Sequence, residues 1–103
     1  MRANNCRERQ YADAFEQVLK AEGIKFQREA PLPLPLVTNE MTNKADFIVE
    51  GKIVIEFKAQ PVITKEDYAQ TQRYLQASKI KLGLLVNFRN KYLRPIRIIR
   101  WNS

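Results

Sequence analysis

The sequence predicts an α/β sandwich with a mixed central sheet and the element order helix, three strands, helix, strand, strand. Three features carry this reading. Apolar residues recur at helical spacing over residues 5–22 and again after Thr64. Two runs rich in β-branched and aromatic residues flank Gly51, the signal of a tight hairpin. The apolar run Leu82 to Phe88 follows the second helix, and a strand entered through a crossover helix runs parallel to a neighbour.

In the first helix, Tyr11, Ala12, Phe15, Val18 and Leu19 fall on one stripe when positions advance by about 100° per residue. Glu8 lies in the middle of that stripe, which turns its carboxylate toward the sheet. A second reading, compatible with the first, makes Asn5 the N-cap and Glu8 its reciprocal partner in a capping box, where the helix dipole favours an acid. Glu22 shares the stripe at the frayed end, and Gly23 stops the helix. The alternation of Ile24, Phe26 and Arg28 suits a first strand over Lys25 to Ala30. Pro31 to Leu36 has three prolines that cannot donate to a ladder, so it belongs at a sheet edge or in a loop, where it resists aggregation. Thr38 to Asn43 reads as a polar turn, and the hairpin then closes a three-stranded antiparallel unit.

Thr64 with Asp67 three residues later marks the start of a second helix that runs to about Ser78. Gln70 and Tyr74 are one turn apart and share a face. Taken alone, they read as a solvated neighbour and a core residue. The nearly continuous apolar run Leu82 to Phe88 predicts a central strand buried on both faces. Tyr92 to Trp101 reads as a last strand, placed at an edge by Pro95, with Arg94, Arg97 and Arg100 as a basic rim.

At 103 residues and 45% hydrophobic, the chain is expected to form one domain around one core. The lone Cys6 rules out an internal disulfide and fits a reducing compartment. No apolar run reaches the length of a membrane span, and the N-terminal stretch with Arg2, Arg7 and Arg9 has no signal-peptide core, so a cytoplasmic protein without a membrane partner is expected. Eighteen Lys and Arg against eleven Asp and Glu leave a net charge of +7 and a pI near 9.8. That excess suits a nucleic-acid partner, although ribosomal and membrane-surface proteins share it. The absence of histidine is more restrictive, because it excludes His-dependent triads, His-ligated zinc and His general bases. Carboxylates and Lys remain as the catalytic groups.

The hairpin carries an unusual set of charges. Glu56 and Lys58 share one face of its second strand, opposite Ile53, Ile55 and Phe57. The position of Asp46 depends on the turn. A two-residue loop of Glu50 and Gly51 pairs Val49 with Lys52 and sends Asp46 to the other face. A three-residue loop with Gly51 left-handed pairs Ile48 with Lys52 and sets Asp46 on the Glu56 face. An isolated acid-x-Lys pair is most often a solvated edge; a third charge converging on it is not.

Asp46 followed by Glu56-Phe57-Lys58 resembles the signature of the PD-(D/E)XK nuclease superfamily, with Ala45 in place of the usual Pro. Gln70 and Tyr74 match the Gln-xxx-Tyr element of its RecB-like members, and Glu8 to Tyr11 resembles the end of the pattern naming the small GxxExxY proteins. Leu82 to Phe88 is similar to the strand that follows in that group, whereas Asn5 stands where the group has its first Gly. The resemblance implies a restriction-endonuclease-like fold and a nuclease using Mg2+ or Mn2+. It implies that Asp46, Glu56 and the Phe57 carbonyl bind the ion, that Glu8 adds a ligand directly or through water, and that Lys58 serves the water or the transition state. On the same footing, Gln70 and Tyr74 hold Lys58 and the scissile phosphate. Arg73, Arg94 and Arg97 are the residues expected to contact nucleic acid, with DNA as the expected substrate. Two other readings stay open. One is a nuclease-fold module that binds without turnover. The other is a junction resolvase, a class that also sets a helical Glu before Asp and Glu-x-Lys and acts as a symmetric homodimer.

Overall fold

The computed structural model describes residues 3–31, 44–89 and 94–101. Helix α1 (Ala3–Ala21) precedes strands β1 (Phe26–Pro31), β2 (Lys44–Val49) and β3 (Ile53–Lys58). Helix α2 (Lys65–Ser78) then leads to β4 (Leu82–Asn87) and β5 (Ile96–Ile99). The strands form one sheet in chain order, antiparallel throughout except at β3 and β4, which are parallel. The α/β architecture and mixed sheet are those the element order predicts, and β3 takes the middle position. The extended run predicted to Leu36 lies, beyond Pro31, outside the described residues, as do the polar turn predicted over Thr38 to Asn43 and the predicted strand start at Tyr92. No described helix is long and apolar enough to cross a membrane.

Helix α1 starts at Ala3 and has no acid in its first turn. Asn5 is therefore a helical residue, not the N-cap, and the capping-box reading of Glu8 falls away. The helix ends as expected at Gly23, whose N–H donates to the Lys20 carbonyl while that of Ile24 donates to Leu19 (3.1 and 2.9 Å). Its buried stripe is narrower than predicted. Ala12, Phe15 and Leu19 join the core, but Val18 is 54% exposed. At about 100° per residue Val18 stands on the flank of a stripe centred between Phe15 and Leu19. Tyr11, on the same flank, has a ring long enough to stack on Phe88, with centroids 3.6 Å apart.

Two apolar clusters sandwich the sheet. On the α1 side, Ala12 and Leu19 pack with Phe47, Ile55, Phe57 and Phe88. On the α2 side, Tyr74 and Leu75 pack with Ala45, Val54, Leu85 and Ile98. Helix α2 approaches β4 closely at Gly83, where a Cβ would stand 2.9 Å from the Thr71 methyl. Strand β4 departs from the predicted two-faced burial: Gly83, Leu85 and Asn87 are buried, whereas Leu82, Leu84 and Val86 are half-buried. The α1 side of β4 is thus less completely covered.

Phe47 is fully buried, meets Phe15 edge-on at 4.9 Å, and lies beneath the Arg28 guanidinium. Phe47→Ala is expected to lower stability by about 3–5 kcal/mol. Thermal denaturation followed by circular dichroism should show a melting temperature lower by more than about 10 °C.

Candidate active site

The hairpin turn follows neither of the two geometries weighed from the sequence. Glu50 and Gly51 both have positive φ (55° and 66°), and Lys52 N–H donates to the Val49 carbonyl at 2.9 Å. The ladder beyond pairs Val49 with Ile53, Ile48 with Val54 and Phe47 with Ile55, leaving Lys52 as an extra residue. The Glu50 N–H donates to the Lys25 carbonyl (2.9 Å), so contact with the chain entering β1 fixes where the turn begins. Continued by one step, this register sets Asp46 directly across from Glu56.

At Asp46 the alternation of β2 breaks. Ala45 joins the α2 cluster and Phe47 the α1 cluster, although residues two apart on a regular strand share a face. Across on β1, Glu29 adopts a left-handed φ of 54°. The Asp46 Oδ2 turns inward and accepts the Phe57 N–H at 2.7 Å. Glu8, Arg9, Ala12, Arg28, Glu29, Asp46 and Phe57 line one cleft on this side.

The electrostatics single out Glu56. Burial, and then the charge of Asp46, push its carboxyl up to about 8; Glu8 adds to the rise and Lys58 opposes it. Burial also raises Asp46, against the Phe57 N–H and the charges of Lys58 and Arg28. Glu8 is raised by burial and by Asp46, against Lys58 and the Ala59 N–H. The three acids therefore sense one another, and the Lys58 charge reaches all of them. Among the described residues, no three His, Cys, Asp or Glu side chains converge closely enough to form a ready ligand group.

Lys58 does not take Gln70 or Tyr74 as its partner. Its ammonium lies 3.8 Å from Asp67 Oδ1, with the two side chains 20% and 12% exposed. The Tyr74 hydroxyl is instead within hydrogen-bonding distance of the Ala30 and Pro31 carbonyls (3.0 and 3.1 Å), tying the end of β1 beneath α2. Tyr74 does remain near Glu56, because burial and then the Glu56 charge push its hydroxyl up to about 12. Gln70 is half-buried one turn earlier. Arg73, Arg94 and Arg97 are exposed. Arg73 pairs with Glu66 at 3.2 Å, and Arg97 lies on β5, two strands from β3.

Four features were not read from the sequence: Arg9 and Arg28 in the cleft, the approach of Asp67 to Lys58, and buried Asn87. Asn87 had a visible signal, as the one amide in the otherwise apolar run from Leu82 to Phe88. The cleft arginines had none, because long-range packing brings them there, Arg28 through the pairing of β1 with β2 and Arg9 from α1.

No curated protein sequence matches the chain. Among solved structures, the crystal structure of SSO0001 is similar with a TM-score of 0.64 and 24% identity, over 90% of this chain and 50% of that one. An alkaline exonuclease, LHK-Exo from Laribacter hongkongensis, is similar with a TM-score of 0.64 and 14% identity, over 98% of this chain and 60% of that one. At these identities the likeness is one of fold, and the chain spans only about half to three-fifths of each structure. The family comparison reaches further: the family model of the PD-(D/E)XK nuclease superfamily matches residues 3–99, from the start of α1 to the end of β5. The chain belongs to the PD-(D/E)XK nuclease superfamily.

Proposed function

We propose that the chain is a metal-dependent nuclease that hydrolyses phosphodiester bonds in DNA. Membership of a nuclease superfamily and the fold shared with an alkaline exonuclease support the nuclease reading. The observation that carries the site is the pair of Asp46 and Glu56, two half-buried carboxylates whose mutual repulsion helps to push Glu56 up to about 8. Crowded carboxylates short of positive charge fit a hard divalent cation, which takes oxygen donors. Asp46, Glu56 and the Phe57 carbonyl would hold Mg2+ or Mn2+, with Glu8 reaching it through water. Bound there, such an ion supplies a Lewis acid for the phosphoryl oxygen and a more acidic water.

The protein's own groups do the rest. Lys58 places its ammonium beside the attacked phosphate, where it neutralises developing charge and orients the water. Gln70 holds the phosphate from α2, and Tyr74 fixes the end of β1 next to Glu56. Arg9, at the cleft that Asp46 shares, meets the phosphate backbone, and the net charge of +7 favours the encounter. The narrower likeness to the small GxxExxY proteins is part of this reading, supported by Glu8 near the acids and Tyr11 stacked on Phe88.

Incubation of linear, nicked and four-way-junction DNA, and of RNA, with Mg2+, Mn2+ or chelator tests the proposal. Cleavage of DNA in metal and none in chelator is expected. Retention of DNA without cleavage in any metal would instead favour a binding module.

A further inference from the structure

We infer that Asp67 is a positioning residue for the Lys58 ammonium, held in place by a clamp of Gln60 and Asn87 that joins the start of α2 to the end of β4. The inference rests on the nuclease reading of Lys58 given above. Lys58 ends β3 on a flexible four-carbon stem, and a catalytic ammonium needs an anchor that is itself immobile.

Asp67 has that character. A capping box asks of it one hydrogen bond, back to the N-cap N–H. Here Asp67 Oδ2 accepts three: from the Thr64 N–H at 2.7 Å, the Thr64 hydroxyl at 3.0 Å and Gln60 Nε2 at 2.6 Å. The three donors fix the carboxylate and leave Oδ1 facing Lys58 Nζ at 3.8 Å. Gln60 is fixed in turn. Its N–H donates to Asn87 Oδ1 (3.2 Å), its carbonyl accepts from Asn87 Nδ2 (2.9 Å), and its side chain also donates to the Val62 carbonyl (3.0 Å). Asn87 is 4% exposed, and its Oδ1 also takes the Arg89 N–H at 3.1 Å. A buried amide with its donors and acceptors so fully used is a structural fixture.

Burial opposes the charge on Asp67, but the Thr64 and Gln60 hydrogen bonds and the Lys58 charge outweigh it and hold its carboxyl below the ordinary value. Asp67 thus offers Lys58 a fixed negative charge from α2, an element separate from those that carry the other acids. Without it, the ammonium would close onto Glu56 and Asp46 as an internal counter-ion. A separation of 3.8 Å is too long for a hydrogen bond, so the pairing steers Lys58 while leaving it able to reach a phosphate.

Asp67→Asn keeps an acceptor for the Thr64 N–H and removes the charge. Gln60→Met loosens the same carboxylate from outside the helix. Ile98→Val in the β5 core is the control for a general loss of stability. DNA cleavage kinetics, melting temperature and the NMR signal of the Lys58 ammonium in 15N-lysine protein, assigned with Lys58→Arg, are measured on each. Asp67→Asn should lower kcat about 10–100-fold with KM within about twofold, and should broaden the ammonium signal. Gln60→Met should do the same to a smaller degree, and Ile98→Val should lower only the melting temperature. An unchanged ammonium signal in Asp67→Asn, or a kcat that merely follows melting temperature across all three variants, would overturn the inference. The NMR arm needs no turnover: if the wild-type protein cleaves nothing, the nuclease reading fails, while loss or persistence of the signal still decides the Asp67 pairing.

Discussion

Glu56→Gln is expected to abolish cleavage and, in the same molecule, to stabilise the cation-free protein. Burial and Asp46 lift the Glu56 carboxyl from an ordinary 4.5 to about 8. Between those values the folded state holds a proton that the unfolded state releases, so stability falls as pH rises through the window and levels off above about 8. Glutamine keeps the shape and removes this dependence. At pH 8 in chelator the variant should be more stable by about 2–4 kcal/mol, after discounting for solvent screening at a half-open site. Near pH 4.5 the two proteins should melt alike, because the native carboxyl is then protonated when folded. Cleavage should fall by more than about 100-fold, beyond what removal of a supporting group costs. Thermal melts from pH 5 to 9 in chelator, with cleavage rates in Mg2+, check both halves.

Lys58→Ala should separate chemistry from cation binding. The Lys58 charge lowers Glu8, Asp46, Glu56 and Asp67 alike. Its removal leaves four acids with less compensation, so the cation-free protein loses stability while a divalent ion gains attraction. Cleavage at saturating metal should fall at least about 100-fold, as expected when a charge that develops in the transition state loses its stabiliser. Cation affinity should stay within a few-fold of wild type or rise. A parallel loss of cleavage and affinity would mean that Lys58 shapes the carboxylate pair and does not act on the phosphate.

What the sequence made legible follows the range of the interactions involved. The capping box of Thr64 and Asp67 is local, and it is found as read. Two loop lengths left open which face Asp46 takes, but the hairpin itself was legible from Gly51 and its apolar flanks. The register was not, because the Glu50 N–H pairs with Lys25 and makes Lys52 an extra residue, a contact outside any two-strand rule. The same limit hid the second role of Asp67. Its bond to Thr64 spans three residues, whereas its approach to Lys58 depends on how α2 docks over the end of β3. Tyr74 was assigned by the family pattern to Lys58 and the scissile phosphate. Its hydrogen bonds to Ala30 and Pro31 reach back more than forty residues, and no periodicity encodes them.

Calorimetric titration of Mn2+ into the cation-free protein at pH 8 tests the central claim, that Asp46 and Glu56 form the ion site of a nuclease. Saturable binding is expected in wild type and in Lys58→Ala, and none in Asp46→Asn or Glu56→Gln. No binding heat at millimolar Mn2+ in the wild type, or undiminished heat in Glu56→Gln, would contradict it.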